Sequence, residues 1–517
     1  MKNMNAALAV ALFVAGPSFA AEQAHRDHPA PEKLGAVTFR TSCNPAVKAG
    51  FERAVALLHS FAYAASRTAF AQVAQKDPRC AMAFWGMALS HYHALWEPQV
   101  DTERELREGA AEIGRAGKIA GISPREHQFI QALQQYYANW ESASPAARAA
   151  LYSRAMADVA RSNPKDDEAQ IFYALSLLAT ASPADKTHAN QKRAANILEP
   201  IWQRQPQHPG AAHYLIHAFD SAELAPRGLA AARAYSAIAP SAPHALHMPS
   251  HIFTRLGLWE DSVASNRKAR AAAHAEGDIG EELHAMDYLT YAYLQLGRQD
   301  EAAKIVAQVN AMADLPATPF KVGYAASVMP VRLAVERHDW DAAARLTPLP
   351  ESPPKVAASV YWARALGHAR GKVPGSADVE IAALQACFDK LHAAGDNYWA
   401  SQTEVMLKTA HAWASAAHGD VDGAVASLRS AADQEDALEK LPVTPGPIVP
   451  AREQLGELLL SLNRPQEALD AFNAVLTLAP GRRGALQGAA AAAEKIRAAP
   501  PTISQARSPL LTTYSMT

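Results

Sequence analysis

The amino-acid sequence predicts an all-α protein, an α-solenoid of stacked helical hairpins arranged in two or three sub-arrays. Alanine dominates many segments and aromatic residues make up only 7% of the chain, which favours close-packed helices over strands. With 517 residues the chain is also too long for one hydrophobic core. The third observation is a repeating order of residues, in which an aromatic side chain, a proline and a small residue recur at fixed intervals.

The first copy of this repeat consists of Phe70, Pro78 and Gly86, each eight residues after the one before. The clearest later copy runs from Leu455 to Pro480. This order is typical of the tetratricopeptide repeat (TPR), in which a small residue lets the helices cross closely and a proline ends the second helix of the unit. Each copy therefore predicts one helical hairpin.

The N-terminus has the three parts of a secretory signal peptide: Lys2, an apolar run from Ala6 to Ala15, and a cleavage site that ends at Ala20. We therefore expect a periplasmic or secreted protein with no membrane span after the signal is removed. The predicted organisation is a signal peptide at 1–20, a loose lead-in at 21–42, an N-terminal TPR-like array with a histidine-rich groove at 43–312, a C-terminal TPR-like array at 321–498 and a disordered tail at 499–517.

The chain has three cysteines, Cys43, Cys80 and Cys387. Cys43 precedes the first predicted helix and Cys80 follows the second, so both lie at the same end of one hairpin. An exported protein can form such a bond, and the sequence favours a Cys43–Cys80 disulfide with Cys387 buried and free. Three unpaired, buried cysteines remain the alternative.

Several strings resemble a family of exported bacterial TPR proteins of unassigned activity. They are LLHSF at 57–61, DPRCAMAFWG at 77–86, HYLIHAFD at 213–220, HMPSHIF at 247–253, HAMDYLTY at 284–291, and PVTPGP at 442–447 with PARE at 450–453. The resemblance covers most of the chain after the signal peptide. It implies an all-helical repeat fold and says little about function, because repeat solenoids serve many purposes.

Three consecutive predicted inner helices carry most of the chemistry-bearing side chains. His213 and His217 are four residues apart and share one helix face. His247 and His251 have the same spacing, but Pro249 between them could start a new helix and leave His247 in a turn. The predicted groove residues are His213, His217, Asp220, His244, His247, His251, His284, Asp287, Tyr288 and Tyr291.

The Leu-Gly turns at 256–257 and 296–297 are 40 residues apart, and this offset predicts which side chains of the last two helices are neighbours. It places His244 beside His284, and His251 beside Tyr291. Imidazoles and a carboxylate that meet between packed helices are ligands for a divalent metal such as zinc. The candidate metal ligands are His213, His217, His247, His251, His284 and Asp287, with Asp220 as a further ligand or an orienting group.

Two hypotheses of function follow. The first is a periplasmic TPR-repeat protein that binds a protein, a peptide or a small polar ligand in its concave groove. The second is a metal-binding protein or a metal-dependent hydrolase that uses the histidine cluster, with Asp220 or Asp287 as the base. A net charge of -2 argues against nucleic acid as a partner, and the sequence contains no glycine-rich phosphate loop.

Overall fold

The structure is a computed structural model that describes residues 32–95, 102–312, 314–373 and 375–498. Every regular element in these ranges is a helix, and consecutive helices pack as TPR-like hairpins, so the predicted all-α solenoid is confirmed. The predicted signal peptide and the predicted tail lie outside the described residues.

A short 3-10 helix at Pro45–Val47 precedes the α-helices. The α-helices up to the middle of the chain are α1 Lys48–His59, α2 Tyr63–Lys76, α3 Ala81–Leu89, α4 Glu103–Ala116, α5 Pro124–Tyr137, α6 Pro145–Ser162, α7 Asp167–Ala179, α8 Ala189–Arg204, α9 Pro209–Ala218, α10 Ala225–Ile238, α11 Pro243–His247 and α12 Pro249–Arg255. The later ones are α13 Trp259–Glu276, α14 Ile279–Gln295, α15 Gln299–Asn310, α16 Phe320–Glu336, α17 Trp340–Ala344, α18 Pro354–Arg370, α19 Ala377–Ala393, α20 Asn397–Ala417, α21 Val421–Asp436, α22 Ala451–Ser461, α23 Pro465–Leu478 and α24 Arg483–Ala498.

The small residues of the repeat lie where helices cross closely. A methyl group placed on Gly86 would come within 2.4 Å of the Phe70 ring, and one on Gly456 within 2.7 Å of the Phe472 ring. The aromatic side chain of one helix thus occupies the space that the glycine of a neighbouring helix leaves open. These contacts explain the spacing in the sequence.

The Leu-Gly turns end helices α12 and α14 as predicted. Gly257 and Gly297 have φ angles of +68° and +74°. This left-handed conformation suits glycine because a Cβ atom would clash with the backbone. The next helix of each hairpin begins within two residues of the turn.

The described residues from Leu34 to Ala498 form one compact unit. Residues 34–42, predicted to be loose, have no regular secondary structure, but Phe39 is buried against Phe51 and Trp85. A disulfide joins Cys43 to Cys80, the pair that the sequence favours, and Cys387 is buried and free. None of the described helices combines the length and the hydrophobicity that crossing a bilayer requires.

Residues 437–450, here called the strap, connect α21 to α22 and run back over earlier parts of the chain. The backbone N–H of Glu439 donates to the Pro183 carbonyl at 2.8 Å. Farther along, Arg332 of α16 donates to the carbonyl of Pro447 at 3.3 Å. Most of the residues from Val443 to Val449 are buried. A loop near the C-terminus therefore packs on helices from the first and middle parts of the chain.

Candidate metal centre

Six of the predicted site histidines converge in one buried cluster. Helix α9 carries His213 and His217, α11 and α12 carry His244, His247 and His251, and α14 carries His284. All except the half-buried His217 are at most 3% exposed. The cluster is therefore enclosed by the protein, whereas the sequence predicted the polar lining of an open groove.

Pro249 does not separate His247 from His251. Met248, between α11 and α12, has helical angles of φ -52° and ψ -37°, so the chain keeps its helical path through the proline. The two imidazoles project from one face, and their Nε2 atoms are 3.1 Å apart. On α9, His213 and His217 form the same arrangement, also with 3.1 Å between their Nε2 atoms.

The predicted 40-residue offset between the last two helices is wrong by three residues. The ring of His284 lies closest to that of His247, with 4.3 Å between centroids, and the ring of His251 lies 5.1 Å from that of Tyr288. The offset between these neighbours is 37, which is almost one helical turn less than predicted. Pro249 lies in this stretch, and its missing N–H removes one hydrogen bond although the backbone stays helical.

The six histidines form two groups of three. The first triad is His213, His217 and His244, and the second triad is His247, His251 and His284. In each triad the three candidate ligand nitrogens lie within 4.8 Å of one another. The triads are adjacent, because the ring centroids of His217 and His251 are 6.0 Å apart and those of His244 and His247 are 6.1 Å apart.

Hydrogen bonds fix the orientation of the second triad. His247 Nδ1 lies 2.6 Å from Oδ1 of Asn266, and the amide nitrogen of Asn266 donates to the Ser262 carbonyl at 2.8 Å, so Oδ1 is the acceptor. His251 Nδ1 lies 2.9 Å from Oδ2 of Asp220. Since each Nδ1 therefore carries the proton of a neutral imidazole, each Nε2 presents a lone pair.

The first triad is held in the same way. His213 Nδ1 donates to the backbone carbonyl of His59 at 2.6 Å, and His244 Nδ1 lies 3.4 Å from a carboxylate oxygen of Glu281. Metal-bound histidines typically donate their second N–H to a carboxylate or a carbonyl oxygen, which orients the ring and raises its basicity. His213, His244, His247 and His251 each have such an oxygen beside Nδ1.

Lowered pKa values keep five of the six rings neutral at pH 7. Burial lowers the pKa of His213, His217, His247 and His284 well below the ordinary value, and neighbouring imidazoles lower it further. Burial also lowers the pKa of His251 to about 4, although Asp220 acts in the opposite direction. Neutral imidazole is the form that binds metal ions.

Asp220 is a predicted groove residue that the structure places next to the cluster. Its Oδ2 accepts from His251 and from Lys440 Nζ, each at 2.9 Å, and its Oδ1 accepts from Arg255 at 2.9 Å. Burial alone would raise the pKa of Asp220, but Lys440, Arg255 and His251 together hold it well below its usual value. The carboxylate thus orients the His251 ring and stays ionised.

Asp287, a predicted metal ligand, lies outside both triads. Its carboxylate is fully buried and pairs with Arg332 at 3.2 Å, and burial raises its pKa. Tyr288 is brought to the cluster, where its hydroxyl is 3.5 Å from the His251 nitrogens and 3.2 Å from the carbonyl of Thr444 in the strap. Tyr291 contacts Arg482 at 3.3 Å and is not part of a triad.

Sequence reasoning missed Lys440. A lysine beside a proline-rich loop is usually solvated, but the Lys440 side chain is only 7% exposed and contacts Asp220. Glu453 is also buried and pairs with Arg482. The missing information is tertiary, since Lys440 and Asp220 are 220 residues apart in the sequence.

A third buried group, His59, Glu168 and His208, shows by contrast what a structural network looks like. The carboxylate of Glu168 binds the Nε2 of both rings at 3.0 Å. Tyr214 contacts His59 Nδ1 at 3.0 Å, and His208 Nδ1 accepts from the Ala211 N–H. Every ring nitrogen has a protein partner, so this group leaves no lone pair for a metal.

No family model and no curated protein matches this sequence. The chain is similar to the human IFIT1 dimer with m7Gppp-AAAA, at 10% identity over 81% of this chain and 90% of that one, with a TM-score of 0.37. It is also similar to the APC/C hetero-tetramer Cut9–Hcn1, at 11% identity over 86% and 76%, with a TM-score of 0.35. The P58(IPK) TPR domain is 12% identical over 87% of this chain and 98% of that one, with a TM-score of 0.22. Likenesses this distant carry no argument about function.

Proposed function

We propose that this protein is a helical-repeat protein that binds transition-metal ions through the two histidine triads. One observation carries the proposal: the Nε2 atoms of His247 and His251 are 3.1 Å apart, and both rings hold their protons on Nδ1. Two lone pairs at this distance repel each other unless a cation lies between them. In a tetrahedral zinc site with bonds of about 2.05 Å, two ligand nitrogens are about 3.3 Å apart.

The donor set indicates the class of metal. All six proposed ligands are imidazole nitrogens, which suit Zn, Cu, Ni and Fe, whereas Mg and Ca prefer oxygen ligands. Asp220 and Glu281 contact the histidines from outside the triads, as outer carboxylates of metal-bound histidines commonly do.

The hydrolase form of the second hypothesis needs a carboxylate that can accept a proton from a metal-bound water. Both candidates for that base are already engaged: Asp220 by Lys440 and Arg255, and Asp287 by Arg332. The arrangement therefore supports metal binding more directly than it supports hydrolysis.

Elemental analysis of purified protein after chelation, reloading and desalting tests the proposal. We expect stoichiometric metal in the wild type, a melting temperature that rises on reloading, and loss of both effects in His217→Ala and His251→Ala. His274→Ala is the matched control, because the His274 side chain is 78% exposed. Wild-type protein that retains no metal and melts at the same temperature with and without chelator contradicts the proposal.

A cavity next to the strap favours a second function, the binding of a small polar ligand. It has a volume of about 150 Å³, and its walls include Arg255, Tyr291, Tyr324, Tyr398, Trp399 and Lys440. Aromatic walls with a few charged groups are typical of ligand sites. A compound that raises the melting temperature of the wild type and of Trp140→Ala, but not of Trp399→Ala, would identify such a ligand. Binding of a protein or a peptide stays a prediction.

We also propose that the protein is exported, on the signal-peptide pattern of residues 1–20. The Cys43–Cys80 disulfide supports this, because disulfides persist mainly in oxidising compartments. N-terminal sequencing of the native protein should find a start at Ala21 or Glu22. Recovery of the uncut chain from the cytosol would contradict export.

A further inference from the structure

We infer that the histidine cluster holds two copper ions, one in each triad, an inference that rests on the proposed metal-binding function. The two N-to-N pairs of 3.1 Å belong to different triads, His213–His217 and His247–His251, and each pair has a third imidazole beside it. A single ion can be coordinated at bonding distance by both nitrogens of only one of these pairs. The other pair also offers a lone pair, that of His213 Nε2, because His213 Nδ1 donates to the His59 carbonyl.

The third ligand completes each triad from a different helix. His244 approaches the α9 pair, with 5.1 Å between its ring centroid and that of His213. His284 approaches the second pair, 4.3 Å from His247 and 6.3 Å from His251. The two proposed ions are neighbours, because the rings of His217 and His251, which belong to different triads, are only 6.0 Å apart.

Charge around the cluster favours ions of low charge. Asp220, Glu281 and Glu439 are linked by ion pairs to four cations, Lys440, Arg255, Lys321 and Lys186. Three carboxylates and four cations leave no net negative charge for the metals. Two divalent ions would therefore add four uncompensated charges in a buried site, which is costly, whereas two Cu(I) ions would add two.

Ligand type bears on which element is bound. Imidazole nitrogen binds copper well, and among divalent first-row ions Cu²⁺ forms the most stable complexes with a given set of nitrogen ligands. The triads offer three nitrogens each and no thiolate or carboxylate. The ligands therefore favour copper, and the charge balance favours its Cu(I) form.

Metal stoichiometry tests the inference. Apo-protein is dialysed under anaerobic conditions against Cu(I) with a competing chromophoric chelator, and in parallel against Cu²⁺ and against Zn²⁺. We expect two equivalents of copper per chain and displacement of bound zinc by copper. One equivalent overturns the two-ion inference while the metal-binding proposal stands, and no metal overturns both. Two equivalents of zinc that copper fails to displace overturn the choice of copper.

Single-triad variants locate the two ions. In His213→Asn the amide nitrogen occupies roughly the place of Nδ1, so the bond to the His59 carbonyl is kept while the Nε2 ligand is removed. We expect one equivalent of copper in His213→Asn, one in His284→Asn, none in the double variant, and two in the control His274→Asn. An unchanged circular dichroism spectrum in each apo-variant shows that the fold is intact. Two equivalents in either single variant contradict the assignment.

Electron paramagnetic resonance gives a second readout. Two Cu(II) ions held by adjacent triads interact magnetically, so the fully loaded wild type should show a broadened or diminished signal. The His213→Asn variant, with one ion, should show the full signal of an isolated Cu(II). Isolated-ion spectra of full intensity in the wild type would overturn the proximity of the two sites.

Discussion

Lys440 Nζ lies 2.9 Å from Oδ2 of Asp220, the same oxygen that accepts the Nδ1–H of His251 at 2.9 Å. The contact joins the strap to the second triad across 220 residues of sequence. It places a positive charge two contacts away from a proposed metal ligand. Removing this charge should therefore lower the stability of the protein and raise its metal affinity.

The variant Lys440→Met removes the charge and keeps an apolar stem of similar length. We expect it to lower the free energy of unfolding by about 2 kcal/mol, because Asp220 loses one buried partner but keeps Arg255. Copper affinity should rise about 3- to 10-fold, since a repelling charge is gone. Urea denaturation of the apo-protein and chelator competition measure the two effects.

The control for Lys440→Met is Lys186→Met. Lys186 also contacts the strap, through Glu439, but its side chain is 42% exposed, so we expect a loss of at most about 1 kcal/mol and unchanged affinity. Weaker metal binding by Lys440→Met would show that the lysine supports the site rather than opposes the ion.

The variant Asp220→Asn keeps an oxygen that can accept from His251 but leaves Lys440 and Arg255 without their carboxylate. We expect about 3–5 kcal/mol lower stability and about 10- to 100-fold weaker metal binding. Asp287→Asn is the matched comparison, because it also breaks a buried ion pair, with Arg332. It should lose stability and retain wild-type metal affinity. Equal losses of metal affinity in both variants would indicate that Asp287 is a metal ligand.

Glu435 should make stability depend on pH. Burial raises its pKa to about 7, although the N–H of Ala451 lowers it, whereas the value in the unfolded chain is near 4.5. Between these two values the folded state holds a proton that the unfolded state has released, so this group lowers stability as pH rises from about 4.5 to 7. Below that window it has no effect, and above it the full cost is present.

The variant Glu435→Gln removes this titration and keeps an oxygen that can accept from Ala451. We expect it to be more stable than the wild type by about 1–3 kcal/mol at pH 8 and to equal it at pH 4.5. Denaturant titration of both proteins at the two pH values measures the difference. Glu494→Gln, on an exposed residue, serves as the control. A stability difference between Glu435→Gln and the wild type that is the same at both pH values would show that Glu435 does not cause the pH dependence.

Gly86 and Gly114 are both helical glycines, and they predict opposite effects of the same substitution. A Cβ at Gly86 would lie 2.4 Å from the Phe70 ring, whereas nothing lies within 4 Å of one at Gly114. Gly86→Ala should therefore destabilise the protein by about 1–3 kcal/mol, and Gly114→Ala should stabilise it by about 0.5–1 kcal/mol. Thermal denaturation measures both. Unchanged stability of Gly86→Ala would show that the two crossing helices leave enough space for a methyl group.

Local sequence patterns were sufficient to predict the helices and their turns. Phe70 and Gly86 are fewer than 20 positions apart, so their spacing in the sequence predicts the contact between them. The left-handed turns at Gly257 and Gly297 each depend on one glycine. The histidines could be assigned to consecutive helices for the same reason. What these side chains bind remains a prediction.

Register and long-range contacts were beyond the reach of these patterns. The error of three residues between α12 and α14 arose because the Leu-Gly turns show where helices end and carry no information about how the two helices pack against each other. Lys440 was misjudged because a lysine beside a proline-rich loop is usually solvated, and only the folded strap brings it to Asp220. The Nδ1 partners Asn266 and Glu281 were missed because neither belongs to a recognisable motif.

In a simple repeat array each hairpin contacts only its neighbours, so the array can unravel from either end, one unit at a time. The strap changes that expectation here. It bonds to Pro183 before α8, to Asp220 after α9 and to Arg332 on α16, so unfolding of the last repeats disrupts contacts with much earlier parts of the chain. The chain should therefore unfold in a single cooperative transition, and a nick within the strap should be enough to divide that transition into two.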